Sequence, residues 1–182
     1  ALASWDNGQR VHLNLGLSMP TGSIKEKDSS GNMLGYPMQL GSGTWDLLPG
    51  ITYLGQRGNY SWGAQTLGIL HIGDNSRNYT LGDSVSATVW GARKLSSSVS
   101  VSARFKGEHI GNIDGEDAGI EHLRTNPPTG GMMVMDSPSY DTNSRGRKEA
   151  YVGLGANYYV RKGQLKGHRF ALEWETPVKE SF

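Results

Sequence analysis

Seven stretches of the chain alternate apolar and polar residues, the period-two pattern of half-buried strands. The first is predicted over residues 10–19, with Val11, Leu13, Leu15 and Leu17 on one face against His12, Asn14, Gly16 and Ser18. A second opens at Trp45 and sets Trp45, Leu47, Ile51 and Tyr53 on one side; Pro49 within it predicts a bulge or an irregularity. The third, 60–72, has Trp62, Ala64 and Leu70 in phase and Leu67 and Ile69 on the other face. A fourth, 79–94, sets Leu81, Val85, Ala87 and Val89 against Ser84, Ser86, Thr88 and Lys94. In the fifth, Val99, Val101, Ala103 and Phe105 oppose Ser100, Ser102, Arg104 and Lys106. The sixth opposes Val152, Leu154, Ala156, Tyr158 and Val160 to Tyr151, Asn157, Tyr159 and Arg161. The last opposes Phe170, Leu172 and Trp174 to Arg169, Glu173 and Glu175.

The links between these stretches alternate in length. Segments 20–44, 73–78 and 107–147 are the longer ones; 56–59, Ser96 with Ser97, and 162–167 are short. Antiparallel strands with short turns at one end and long loops at the other predict an all-β, antiparallel transmembrane β-barrel of the bacterial outer-membrane type. In that reading one domain covers 1–182, and loops 20–44 and 107–147 face outward, where they gate or select. Aromatics fall near the strand ends. Tyr53, Tyr60, Trp62, Trp90, Tyr158 and Tyr159 lie toward the short turns, and Trp45, Tyr79, Tyr151 and Trp174 toward the long links. Two such bands are expected at the two lipid–water interfaces. One rival is a soluble ligand-holding barrel, which would bury Val85, Val89, Val99, Val101, Leu154 and Leu172; the other is a non-conducting outer-membrane barrel with a structural or partner-binding role. Alternation alone does not say which face points inward.

Composition narrows this picture. A chain of 182 residues suffices for one domain. Its net charge of +1 gives no general attraction to nucleic acid. The absence of cysteine excludes a disulfide framework and thiol catalysis. No apolar run reaches the roughly 18 residues of a membrane helix. The mean hydropathy of -0.50 is compatible with a barrel, because only alternate strand residues meet lipid. Residues Ala1 to Ser4 lack a charged leader and an apolar core, so an export signal is expected to have been removed. Glycines inside the strands (Gly63, Gly68, Gly91, Gly153, Gly155) are expected at barrel bends.

Two segments carry a family resemblance. They are Leu15-Gly16-Leu17-Ser18-Met19-Pro20-Thr21-Gly22 and Leu40-Gly41-Ser42-Gly43-Thr44-Trp45-Asp46-Leu47-Leu48-Pro49-Gly50, joined by Trp90-Gly91-Ala92-Arg93-Lys94 and Lys166-Gly167-His168-Arg169. Together they resemble the outer-membrane transporter family named after the meta-pathway of phenol degradation. The resemblance implies a β-barrel in the outer membrane of Gram-negative bacteria and uptake of aromatic or other hydrophobic compounds. It transfers no binding residue. Single-chain bacterial barrels have an even number of strands. Seven predicted strands therefore imply either a fragment of a larger barrel or another mode of closure. Lys179-Glu180-Ser181 reads as a poor strand before Phe182.

The candidate solute site lies on the polar face. Arg104, Lys106, Arg161, Arg169, Glu173 and Glu175 are the lumen-lining, solute-binding candidates; they either set ion and solute preference or pair into a plug. Asn112, Asp114, Glu116 and Asp117 around Gly115 resemble oxygen ligands for Ca²⁺, but their spacing does not fit the twelve-residue calcium loop. Met132, Met133 and Met135, with His109 and His122, read as apolar loop filling before copper ligands. His12, Ser18 and His71 are the raw material for a hydrolase, yet no nucleophile elbow, zinc-protease helix or phosphate loop is present. The expectation is a non-enzymatic, porin-like transporter without metal or cofactor. Its partners are a small-molecule solute and membrane lipid or lipopolysaccharide, with no nucleic acid.

Overall fold

In the computed structural model, which describes residues 2–5, 8–125 and 137–181, the alternating stretches lie side by side in one antiparallel sheet. The chain runs β1 (Leu2–Trp5), β2 (Gln9–Ser18), β3 (Trp45–Arg57), β4 (Tyr60–Ile72), β5 (Tyr79–Thr80), β6 (Ser84–Lys94), β7 (Val99–Ile110), β8 (Asp114–Gly115), helix α1 (Ala118–Thr125), β9 (Arg147–Tyr159) and β10 (Arg169–Ser181). Eight strands form the sheet in the order β1-β2-β3-β4-β6-β7-β9-β10, and β5 pairs with β8 as a separate two-residue ribbon. Among the described residues β1 and β10 remain the two edges and do not pair with each other. No described helix is long and apolar enough to cross a membrane.

Cross-strand register sorts the side chains into two faces, because directly opposed residues point the same way. One row runs Val11, Tyr53, Ala64, Val89, Phe105, Val152. The row beside it on the other face runs His12, Thr52, Gln65, Thr88, Lys106, Tyr151. An apolar face and a polar face thus persist across the sheet. The apolar face is uncovered: Leu15 is 77% exposed, Leu172 76% and Val89 51%.

The buried core lies elsewhere. Met33, Tyr36, Tyr79, Ile113, Ile120, Leu123 and Tyr140 pack together, with Leu81 against them. All come from the long links, so these links fold into a cap at one end of the sheet. Tyr36 meets Tyr79 edge-to-face at 4.9 Å between ring centroids. Asp117 is fully buried. It pairs with Arg77 through Nε and Nη2 and accepts from the Gly119 amide at 2.7 Å, which caps α1. Its own amide donates to the Tyr36 hydroxyl at 3.1 Å. One residue, through its carboxylate and its amide, therefore ties all three links together.

The residues that carry the family resemblance form the neck of this cap. A Cβ on Gly22 would lie 2.3 Å from the Leu40 carbonyl oxygen, and one on Gly41 3.0 Å from the Gly22 Cα. Only glycines permit that backbone approach. The Leu40 amide donates to the Ser23 carbonyl at 2.9 Å and closes the neck.

Several expectations change. The sheet has eight strands, not seven, because Leu2–Trp5 pairs with β2 from His12 to Gln9. The predicted fourth strand is broken. Asn78 takes a positive φ of 61°, Tyr79 is drawn into the cap core, and the sheet strand starts only at Ser84. The longest link is shorter than 107–147: β7 continues to Ile110 and β9 begins at Arg147. Pro49 makes no bulge, since Leu47–Leu70 and Gly50–Leu67 stay in step on either side of it, but it does bring the expected irregularity: Leu48 and Pro49 drop out of the pairing with β4. The bulge falls instead between Pro177 and Lys179, and β10 runs on through Lys179, Glu180 and Ser181. The aromatic bands are only half realised. Tyr53, Tyr60, Trp62, Tyr158, Trp45 and Trp174 lie on the apolar face. Trp90, Tyr151 and Tyr159 share the polar face with Arg104, Lys106 and Arg169, and Tyr79 lies in the cap.

Candidate functional site on the polar face

The centre of the polar face is built around Arg104. In register it stands beside Gly153, and Gly153 beside Glu175. Gly153 has no side chain, so the guanidinium reaches across β9. Arg104 Nη2 lies 2.9 Å from Glu173 Oε1 and 2.5 Å from Glu175 Oε2. Gly155 makes similar room in the next polar-face row: a Cβ there would lie 2.5 Å from Ser102 Oγ. These strand glycines make space for cross-strand neighbours. On the other side of Arg104 stands Trp90, whose ring covers Gly63; a Cβ there would come within 2.3 Å of the indole.

Gln65, Thr88, Trp90, Ser102, Arg104 and Glu173 bound a cavity of about 360 Å³. On its wall Gln65 Nε2 donates to Thr52 Oγ1 at 2.9 Å. Arg104 Nε is buried and has no hydrogen-bond partner among the described residues. A second cluster lies toward the cap. Lys106 Nζ sits 2.8 Å from Glu108 Oε2 and 5.6 Å from the centre of the Tyr151 ring. Tyr151 donates to Glu149 at 2.8 Å, and Arg147 Nε is 3.3 Å from the same carboxylate.

The structure brings Arg104, Glu173 and Glu175 into one ion cluster. Lys106 belongs to the neighbouring cluster. Arg169 stands nearer the short turns and donates to Asn157 Oδ1 at 2.9 and 2.6 Å. Arg161 lies past the end of β9, in the 160–168 turn near Arg169 and away from the other four. Sequence reasoning misses Glu108, Glu149, Gln65 and Trp90. Glu108 is within its reach, because it continues the every-second-residue series Arg104, Lys106. Trp90 reads in the sequence as an interface residue, and only register sets it beside Arg104.

Other chemistry is dispersed. His71 Nδ1 lies 2.7 Å from Asp46 Oδ1, and Thr44 and Ser42 hydroxyls donate to the same carboxylate at 2.6 and 3.0 Å. Ser18 is in register with Asp46, but His12 is in register with Thr52, farther down the sheet. In the Asn112–Asp117 region, Asp117 is taken by Arg77 and the Asn112 side chain accepts the Gly146 amide. No group of three or more potential ligands is assembled among the described residues. Met132, Met133 and Met135 lie outside the described residues.

No family model and no curated protein matches the chain. Among solved structures, a crystal structure of an outer membrane channel from Pseudomonas putida F1 superposes with a TM-score of 0.58 at 10% identity. The match covers 97% of this chain and 55% of that one. The fold is similar to that of an outer membrane channel. The chain spans about half the length of that channel. What the comparisons support of the family resemblance is this channel-like fold, not membership.

Proposed function

We propose that the chain forms a section of the wall of a β-barrel in the bacterial outer membrane and that small solutes pass along its polar face. The observation that carries this reading is the uncovered apolar face. Leu13, Leu15, Leu17, Val85, Val89, Val101, Phe105, Leu154, Leu172 and Trp174 are all exposed. A water-soluble barrel would turn these residues inward and bury them; a lipid-spanning wall needs them outside. Strand length supports the same reading. Seven of the eight sheet strands have 10 to 13 residues, enough to cross a bilayer core at about 45° of tilt.

With the apolar face in lipid, the polar face lines the lumen. Arg104, paired with Glu173 and Glu175, is then the central charged element. Its unpartnered Nε is a donor that an oxygen-bearing solute satisfies, and the Trp90 ring beside it offers a surface for an aromatic or apolar group. The step is passive: binding and release with no bond made or broken. The short turns face the periplasm and the cap faces outward, following the usual arrangement of such barrels.

The test is insertion into planar lipid bilayers after purification in detergent. Discrete conductance steps are expected, and Arg104→Gln should shift reversal potentials toward cation preference by unmasking Glu173 and Glu175. A protein that stays monomeric and folded without detergent would overturn the reading in favour of a soluble barrel.

A further inference from the structure

Charge is distributed unevenly between the two ends of the sheet. The strand ends and turns 55–62, 91–102 and 157–170 carry Arg57, Arg93, Lys94 and a cluster from Arg161 to Arg169, and no Asp or Glu. The described carboxylates lie instead in the cap, in the upper strands and around Arg104. Among the described residues, the cationic rim at the short-turn end thus has no carboxylate beside it.

One of these cations is placed on the apolar face. Arg93 stands in register with Tyr60 and Val101, and its guanidinium carbon lies 5.4 Å from the centre of the Tyr60 ring. It makes no ion pair among the described residues. Arg93 is exposed, and an exposed guanidinium can receive a phosphate in two parallel hydrogen bonds.

Directly beyond Arg93, toward the middle of the sheet, is a groove of about 480 Å³ on the same face. Its walls are Trp62 and Leu154, and its floor is Gly91 and Ala103, which stand between them in one cross-strand row. Nothing lies within 4 Å of the position a Gly91 Cβ would take. The groove is apolar, open to the surrounding medium and headed by a single cation.

We propose that this is a binding site for one anionic glycerophospholipid of the inner leaflet. The phosphate sits on Arg93 over Tyr60, and one acyl chain lies over Gly91 and Ala103 between Trp62 and Leu154. The proposal rests on the reading of the apolar face as lipid-facing. Charge complementarity selects the headgroup, and the order of cation then groove, running from turn to mid-sheet, matches the order of headgroup then chain.

The protein is reconstituted in vesicles of equal parts phosphatidylglycerol and phosphatidylcholine, extracted in mild detergent, and its retained lipid is measured by native mass spectrometry. Phosphatidylglycerol should be retained over phosphatidylcholine by about fivefold, the weight of one cation at an anionic headgroup. Arg93→Gln should bring the ratio to that of the vesicle while lipid is still held. Gly91→Leu, whose Cβ meets nothing within 4 Å, should fill the groove and lower retention of both lipids. Equal retention of the two lipids by the unaltered protein, after normal insertion, would overturn the site and leave the membrane reading intact. Failure to insert even into pure phosphatidylcholine would overturn the membrane reading and the site with it.

Discussion

Two glycine–tryptophan pairs show how single residues set the two faces. Gly55 lies under Trp62 on the apolar face, and Gly63 lies under Trp90 on the polar face. In each, the indole occupies the volume a Cβ would need, an arrangement that shields strand glycines and fixes register. Gly63→Ala should therefore cost roughly 1–3 kcal/mol through overpacking, measured by urea unfolding in detergent. Gly91→Ala, with open space around its Cβ position, should be near neutral in the same assay. Equal effects would show that crowding by the indole is not what keeps Gly63 small. The sequence displays these glycines plainly, yet their role depends on which residue stands opposite, and register is a non-local property. The same holds for Gly153: nothing local marks it as the gap through which Arg104 reaches Glu175.

At the scale of elements, strands and cap are unequally legible. Strand β4 matches its predicted span of 60–72, because alternation is local and each strand carries its own record. Even the out-of-phase Leu67 and Ile69 fall on the polar face, opposite Ser86 and Ser84. The cap leaves no such record. Ile24, Met33, Tyr36, Tyr79, Ile113, Ile120 and Leu123 follow no common period, and their burial arises only when three links meet. Asp117 is the joint, so Arg77→Ala should strand a buried carboxylate and destabilise the cap by roughly 3 kcal/mol. Limited proteolysis should then cut within 20–44 and 111–146 while strands β3 to β10 stay protected. Loss of the whole sheet instead would show that cap and sheet fold as one unit. The cap should also loosen in alkali. Burial raises the Tyr36 and Tyr79 phenols above the ordinary 10.0. Their contribution is thus complete below pH 10 and is lost as pH rises through the raised values. Near-ultraviolet circular dichroism across that range, with Tyr79→Phe as the variant that lacks one of the transitions, reads this directly.

At the scale of the whole molecule, the proposed function inverts the sheet relative to a soluble β protein. Its uncovered surface is the apolar one, and its ion pairs lie on the face that a soluble barrel would give to water. A charge on the apolar face should be costly in the membrane. Val89→Arg should destabilise by about 2–4 kcal/mol near the bilayer midplane, whereas Thr88→Arg on the other face should be tolerated; equal penalties would deny that the two faces meet different media. The assignment of faces is not available from alternation alone. Register sorts the two faces, and the proposed lipid contact rests on the exposure of the apolar one.

The most direct measurement uses the absence of cysteine in the sequence. Single cysteines are placed in turn along β6 from Ser84 to Lys94, in protein reconstituted into lipid vesicles. Each is tested with a water-soluble maleimide and, when labelled with a fluorophore, with a lipid-borne quencher. The account predicts strict alternation through the middle of the strand. Ser86, Thr88 and Trp90 positions react with the maleimide and escape quenching; Val85, Ala87 and Val89 positions are quenched and react slowly. The reverse pattern, or reactivity with no period of two, would contradict the claim that the apolar face of this sheet lies against lipid.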